Sequence, residues 1–253
     1  MGCFALTCVC IWNGFLNSIQ SVCRERGVVK REHRSGMYIS SYICAHMIYQ
    51  CMLCAAQTAI LLGVCSMAGV HFPSKGLVSG SFMPDMAITM FLITYAADMM
   101  SLAISCLVKN TTTAMTVMPF MLIFQLVFSG AFISLSGKAA ELTRFTIAKW
   151  GLRSMCTLGN YNSQPMVTLW KTIWKFRSLE VEGYKPIEMI TNRILEEGRL
   201  NEFLLESGSY NTELEYYFTM DNILHCWKSI AFIAVVFAIL SGVILSFIDK
   251  DKR

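Results

Sequence analysis

Long apolar segments alternate with short polar ones along the 253 residues of the chain. Five apolar segments carry almost no charged side chains and reach about 20 residues or more, the length that an α-helix needs to cross a bilayer. The pattern predicts an all-α integral membrane protein, a helical bundle of five transmembrane spans. We place the spans at residues 1–20, 38–70, 86–108, 114–135 and 224–248.

The composition argues against one large soluble domain. Hydrophobic residues make up 55% of the chain and charged residues only 15%, whereas soluble domains are about 25% charged. The net charge of +4 does not indicate nucleic-acid binding, because most basic residues lie at the ends of apolar segments. Most of the 11 cysteines lie inside those segments, where cysteine behaves as a small hydrophobe. Cys51 and Cys54 have no second pair of ligands, so we predict neither a metal site nor a disulfide framework.

A basic cluster at residues 22–36 separates the first two spans and sets the predicted topology. Short loops rich in Lys and Arg stay in the cytoplasm, so span one enters the membrane from outside. The C-terminus, which carries Lys250, Lys252 and Arg253, is then cytoplasmic as well. Residues 138–153 lie on the outer side in this topology although they are basic, which counts against it. We expect them to form a helix lying flat at the outer interface.

The acidic stretch at residues 160–222 is predicted to be a large outer loop. Apolar residues at helical spacing predict short amphipathic helices within it, around Ile187, Ile190 and Ile194 and again at Phe203 and Leu204. Near the outer end of span four, Ser129 and Gly130 form a small-residue break. The break predicts a segment that turns back into the membrane, which is tolerated where protein buries it.

Asp98 is the strongest candidate for intramembrane chemistry, because a charged acid in a span costs several kcal/mol and usually faces the bundle interior. Its possible hydrogen-bond partners at helical spacing are Tyr95, which precedes it, and Ser101 and Ser105, which follow it. We favour an interhelical hydrogen bond over a substrate or proton site. Phosphate-binding, dinucleotide-binding and zinc-protease motifs are absent from the sequence, so the chain is not predicted to be catalytic.

The basic cluster and the start of span two resemble the membrane domain of ABC transporters of the G (white/pleiotropic drug resistance) type. The matching residues are Glu25-Arg26-Gly27, Arg31-Glu32, Ser35-Gly36-Met37-Tyr38 and Ser41-Tyr42. Leu107-Val108-Lys109-Asn110 and Phe128-Ser129-Gly130 match further along, in the family's order. With few prolines and many Cys and Met residues, the chain is more similar to the bacterial permease relatives.

The resemblance implies that residues 1–253 form a single ABC transporter transmembrane domain with a re-entrant outer segment. Members of that family have six spans and an ATPase domain, and span one here aligns with their second. We therefore expect either a C-terminal fragment that lacks the ATPase domain and the first span, or a subunit whose missing parts lie elsewhere.

The resemblance also implies a function and a set of residues. The chain would be the permease of an ATP-driven exporter in a bacterial plasma membrane, moving an amphipathic or lipid-like substrate by alternating access. Its partners would be an ABC nucleotide-binding domain, a second permease in a homo- or heterodimer, and the lipid bilayer. The chain itself would bind no cofactor, since ATP and Mg²⁺ belong to the nucleotide-binding domain. The residues coupled to that domain would lie on the helix at 22–36, namely Arg24, Glu25, Arg26, Val28, Arg31, Glu32 and Arg34.

Arg24, Val28 and Arg31 recur at i, i+4 and i+7 and so share one helix face. Spans one and four would line the substrate path, with Ile11, Trp12, Phe15, Met115, Met118 and Met121 as the candidate residues. Two alternatives from other classes stay open. One is an ion- or proton-coupled carrier that uses Asp98, and the other is a membrane scaffold or sensor whose acidic outer loop binds a partner.

Overall fold

A computed structural model describes residues 2–68, 76–130, 138–163, 169, 172–180, 183–199 and 214–247. Nine α-helices and two short 3-10 turns, Tyr161–Ser163 and Leu214–Tyr216, have their bounds within these ranges. Residues 169 and 172–175 are also helical. The α-helices are α1 Gly2–Ser18, α2 Ser21–Arg34, α3 Ile39–Met67, α4 Phe82–Leu107, α5 Thr111–Val127, α6 Lys138–Thr143, α7 Ile147–Leu158, α8 Pro186–Glu196 and α9 Met220–Ser246. The predicted fold class, an all-α membrane bundle, is confirmed.

Four helical segments among the described residues are long and apolar enough to cross a membrane. They are the continuous pair α1–α2, α3, α4 and α9. The fourth predicted span, residues 114–135, is shorter than expected, because α5 has 17 residues and is therefore only about 26 Å long. It stops where the sequence has its small-residue break: Ser129 N–H bonds back to Leu126 O, and Gly130 adopts a φ of +81°. Residues 131–135 lie outside the described ranges.

Helix α4 forms the centre of the bundle and packs mainly against α1 and α9, with α3 and α7 completing its surroundings. It is buried along almost its whole length. Small side chains such as Ala97 and Ser101 let neighbouring backbones come close, as is usual in membrane bundles. Gly14 of α1 lies directly against α4, since a Cβ there would overlap Thr94 O and lie 2.8 Å from Ala97 Cβ.

The expectation of a flat interfacial helix at residues 138–153 is wrong for α7. This helix is buried between α1, α4 and α9 rather than lying on the surface. Gly151 permits the contact, since a Cβ there would lie 3.0 Å from Thr7 Cγ2 and 3.1 Å from Ile93 Cδ1. Its two charged side chains both have polar partners. Lys149 pairs with Glu215, and Arg153 Nε donates to Asn222 Oδ1 at 2.9 Å. An internal helix at this place fits the predicted re-entrant segment.

Polar contacts hold the loop that precedes α4. Asp85, in the first turn of α4, accepts hydrogen bonds from the N–H groups of Leu77, Val78 and Ser79 at 2.8, 2.9 and 3.0 Å. In the large loop, α8 forms where Ile187, Ile190 and Ile194 predicted an amphipathic helix. The second predicted helix, at Phe203 and Leu204, lies outside the described residues.

Candidate functional site

The N-terminus of α2 is capped by a side chain from the end of α4. Ser105 Oγ accepts hydrogen bonds from the backbone N–H groups of Val22 and Cys23, at 3.1 Å each. These N–H groups belong to the first turn of α2, where a helix offers no internal acceptor. Ser105 therefore ties the start of the predicted coupling helix to the central helix.

Arg26 makes the reciprocal connection from α2 to α4. Its Nη1 donates to the carbonyl oxygens of Cys106 at 2.7 Å and Val108 at 3.2 Å. These are orphan carbonyls at a helix C-terminus, where a cation also interacts favourably with the helix dipole. Arg26 was predicted to couple to a partner domain, and the structure places its guanidinium on the bundle side of α2.

The opposite face of α2 is open to solvent. Of the residues predicted to couple, Arg24, Glu25, Val28, Arg31, Glu32 and Arg34 are exposed. The buried residues of α2 are Val22, Cys23 and Val29. The helix thus has one face packed on the bundle and one charged face that includes the apolar side chain of Val28.

Asp98 lies in a buried group of four side chains from three helices, Ser18, Gln50, Cys54 and Asp98, which we call the polar cluster. Ser18 Oγ donates to Asp98 Oδ1 and accepts a hydrogen bond from Gln50 Nε2 at 2.7 Å. Cys54 Sγ lies 3.8 Å from Asp98 Oδ2. Asp98 is therefore joined to α1 and α3, which is the geometry of an interhelical hydrogen bond.

The serines expected to bind Asp98 make other contacts. Ser101 Oγ donates to Phe15 O at 2.8 Å, and Ser105 caps α2 as described. Asp98, Ser101 and Ser105 recur at i, i+3 and i+7 and so face the same side of α4. Together they join α4 to the end of α1 and the start of α2 along one seam.

Sequence reasoning missed the uncharged partners of this region. Asn17 and Gln57 exchange two amide hydrogen bonds, at 2.9 and 2.8 Å, between α1 and α3. Gln50 belongs to the polar cluster on the same helix as Gln57. Amide side chains in apolar spans commonly form hydrogen bonds between helices. Asn17, Gln50 and Gln57 could therefore have been predicted as interhelical contacts, but only charged residues were considered.

The six candidate path residues do not form one site. Ile11 and Trp12 line a narrow cleft of about 40 Å³ between α1 and α5, together with Leu122 and Leu126. Phe15 is fully buried. Met118 is buried in the core and Met121 packs against it, while Met115 lines a separate cavity at the start of α5.

In the part of the chain that the structure describes, no group of three or more His, Cys, Asp or Glu side chains is placed to hold a metal ion. The cysteines are free thiols, and Cys54 contributes its sulfur to the polar cluster.

The described fold is that of a polytopic helical membrane protein with a charged helix packed at one end of its bundle. Residues 1–148 match the membrane-domain model of the ABC-2 type transporter family. This match covers more than half of the chain, so the chain belongs to the ABC-2 type transporter family. The predicted resemblance to an ABC transporter membrane domain is confirmed.

A curated relative agrees with this assignment. The chain is 28% identical over 145 residues to an ABC transporter ATP-binding/permease protein of Mycobacterium tuberculosis, an alignment that covers 56% of this chain and 16% of that protein. The chain is thus an integral membrane component with a permease role, and such domains are transport components rather than catalysts. That residues 1–253 form a single domain stays a prediction, because the family match ends at residue 148.

Proposed function

We propose that the chain is the permease of an ATP-driven exporter and that an ABC nucleotide-binding domain docks on the exposed face of α2. ATP and Mg²⁺ bind to that partner domain in this proposal. The observation that carries it is the two-sided construction of α2. One face is fixed to α4 through Ser105 and Arg26, while the other presents Arg24, Val28 and Arg31 to solvent.

This construction supports transmission of motion from the partner into the bundle. A helix held at its N-terminus by Ser105 and at its second turn by Arg26 moves together with the end of α4. Helix α4 in turn is joined to α1 through Ser18–Asp98 and through the close approach at Gly14. Displacement of α2 therefore shifts α1 and α4 as a unit relative to α5, which makes few contacts with them.

The cleft between α1 and α5 is the part of the substrate path within this chain. Its lining is mainly apolar, which fits an amphipathic or lipid-like substrate. Exposed apolar side chains flank it on both helices, among them Trp12 and Leu16 on α1 and Phe120 and Ile123 on α5. We propose that a second permease covers this surface, so that alternating access operates between the two copies in a bacterial plasma membrane with α2 and the C-terminus in the cytoplasm.

The test is a double charge reversal on the exposed face, Glu25→Lys with Arg31→Glu. Both side chains are exposed, and the pair preserves the net charge that orients the loop. We expect normal insertion and folding together with loss of substrate-stimulated ATP hydrolysis and transport by the reconstituted complex.

The matched control is the charge reversal Lys185→Glu with Glu188→Lys, a partly exposed ion pair at the start of α8 with N and O atoms 3.8 Å apart. It should leave coupling unchanged. Normal coupling in the α2 variant would reject α2 as the docking surface. Loss of function in the α8 variant alone would favour the alternative in which the outer loop binds a partner.

A further inference from the structure

Two cysteines meet where the start of α1 packs against the end of α7. Cys3 lies in the first turn of α1 and Cys156 in the last turn of α7. A hydrogen bond joins the two thiols, and Cys3 Sγ lies 3.6 Å from the backbone oxygen of Met155, the residue before Cys156. A disulfide requires Cβ atoms about 3.5–4.5 Å apart, and two thiols already in contact are within reach of one.

The packing of the two helices holds this contact in place. Gly151 lets α7 approach α1, since a Cβ there would lie 3.0 Å from Thr7 Cγ2. Thr7 is one turn from Cys3, and its Oγ1 donates to the backbone oxygen of Cys3 at 2.8 Å. Gly159, directly after α7, leaves room for the thiol, since a Cβ there would lie 3.4 Å from Cys3 Sγ. A bond between the sulfurs of Cys3 and Cys156 would therefore join helices that already touch.

The pair of thiols lies at the end of the bundle opposite α2. Helix α1 has 17 residues, which is about 26 Å, and it joins α2 at the end far from Cys3. On α7, Thr157 follows Cys156 and accepts a hydrogen bond at 2.9 Å from Nδ2 of Asn222, near the start of α9. With the basic α2 in the cytoplasm, both cysteines lie towards the outer side, where disulfides form and persist.

The two sulfurs differ in their access to solvent. Cys3 is partly exposed, whereas Cys156 is only 5% exposed. Thiol–disulfide exchange begins when an accessible thiolate attacks a disulfide sulfur, which assigns the first step to Cys3. Cys156 is already in contact with Cys3 and is therefore placed to complete the exchange.

We propose that Cys3 and Cys156 are a redox-sensitive disulfide site, oxidised by a disulfide of the outer compartment. The Cys3 thiolate attacks one sulfur of the oxidant, which leaves a mixed disulfide and releases the other sulfur as a thiol. The Cys156 thiolate then attacks Cys3 Sγ and releases the second thiol. The two protein thiols lose two electrons and two protons, and the oxidant takes up both.

The bond would restrain the outer end of α1. It closes a long loop of the chain, and such a bond stabilises a protein mainly by restricting its unfolded state. Phe4, next to Cys3, and Thr7 line the cleft between α1 and α5, so oxidation would tether one wall of that cleft and reduction would release it. The proposal goes beyond the export function and does not depend on which substrate is moved.

The experiment uses the purified full chain in detergent, incubated with either reduced or oxidised glutathione. After an acid quench, free thiols are alkylated in denaturant and the digested peptides are identified by mass spectrometry. We expect the oxidised sample to lose alkylation at both Cys3 and Cys156 and to gain one cross-linked peptide, which a reducing agent cleaves. The midpoint of thermal unfolding should rise by about 5 °C or more in the oxidised sample.

Variants test the order of the two steps. Cys156→Ser removes the second thiol, so Cys3 should keep a glutathione adduct and the midpoint should not rise. Cys3→Ser should leave Cys156 as a free thiol, because its sulfur is too buried to react first. The matched control is Cys226→Ser, which removes a buried cysteine in the second turn of α9 and should leave the cross-link intact.

Three results would overturn the proposal. One is the absence of the cross-linked peptide, whether Cys3 stays free or carries glutathione, because Cys156 would then be unable to reach it. The second is a cross-link with an unchanged or lower midpoint, which would show that the packed helices do not accommodate the bond. The third is a fully reduced pair in cells whose thiols are blocked before lysis. The first two are measured on the isolated chain and do not bear on whether α2 docks a nucleotide-binding domain.

Discussion

At the scale of single residues, the sequence points to Asp98 because a carboxylate in an apolar span is expensive to bury unless it is paired. Its partners Ser18 and Cys54 could not be predicted, since packing between the helices decides which faces of α1 and α3 lie against α4. The same holds for Gly14. A glycine in an apolar span has no distinctive pattern, and only the structure shows that α4 lies against it.

Asp98→Asn should preserve assembly and ATP-dependent transport. The amide oxygen can still accept the hydrogen bond from Ser18, so we expect a loss of about 0.6 kcal/mol or less in the free energy of unfolding, the mean for interhelical hydrogen bonds in a membrane protein. Asp98→Leu, which removes the acceptor, should lose more. The measurement is thermal unfolding in detergent with transport by the reconstituted complex. Normal stability with transport abolished in Asp98→Asn would instead favour the ion-coupled carrier.

Gly14→Ala should destabilise the bundle by about 1–3 kcal/mol, the usual cost of overpacking a tight contact. The new Cβ would overlap Thr94 O and lie 2.9 Å from Asp98 N, both fixed backbone atoms. Gly63→Ala in α3 is the control, because a Cβ at Gly63 has no neighbour within 4 Å and alanine favours a helix by about 1 kcal/mol. Thermal unfolding should show a lower midpoint for Gly14→Ala only. Equal midpoints would mean that α1 and α4 are not in close contact.

At the scale of elements, hydropathy predicted most helix positions, and the errors have local causes. Helix α4 begins at Phe82 rather than residue 86, because Pro84 is tolerated in a first turn and Asp85 binds the preceding loop. Helix α9 begins at Met220 rather than residue 224, because Asn222 finds partners on the loop and on α7. A hydropathy pattern assigns such polar residues to loops. The structure shows that they lie in the first turns of helices, where neighbouring segments satisfy their polar groups.

The sequence placed Arg24, Val28 and Arg31 on one face of α2 but did not show that Arg26 lies on the bundle side, because charged residues are spread around the helix. The structure separates Arg26, which binds the end of α4, from Arg31, which is exposed. Arg26→Met should therefore reduce stability by about 1.5–3 kcal/mol, the range for hydrogen bonds to charged groups. Arg31→Met should leave stability unchanged and reduce coupling of ATP hydrolysis to transport.

The two measurements are thermal unfolding of the isolated chain and substrate-stimulated ATPase activity of the complex. Each variant serves as the control for the other, because both remove one positive charge from the same helix. Equal effects on stability would show that α2 is not oriented as described. Normal coupling in Arg31→Met would remove that residue from the docking surface.

At the scale of the whole molecule, the packing of the helices divides the polar segments between two ends of the bundle. Helix α2 contacts the C-terminal end of α4 through Ser105. Trp227, near the start of α9, donates to Thr89 Oγ1 near the start of α4 at 2.8 Å, so the start of α9 lies at the opposite end. The segment containing α8 connects α7 to α9 and belongs with that end, because Asn222 of α9 also bonds to Thr157 of α7.

If the basic α2 is cytoplasmic, this geometry requires α8 to be on the outer side. We therefore expect a membrane-impermeant maleimide to label Glu197→Cys, at the end of α8, in intact cells and to spare Arg31→Cys on α2. Both positions are exposed, so reactivity reports the side of the membrane rather than burial. The background should lack the exposed native thiol of Cys44, and permeabilised cells should label both variants equally. Labelling of Arg31→Cys in intact cells would place α2 outside, where no ATP-hydrolysing domain could reach it, and would reject the orientation together with the docking proposal.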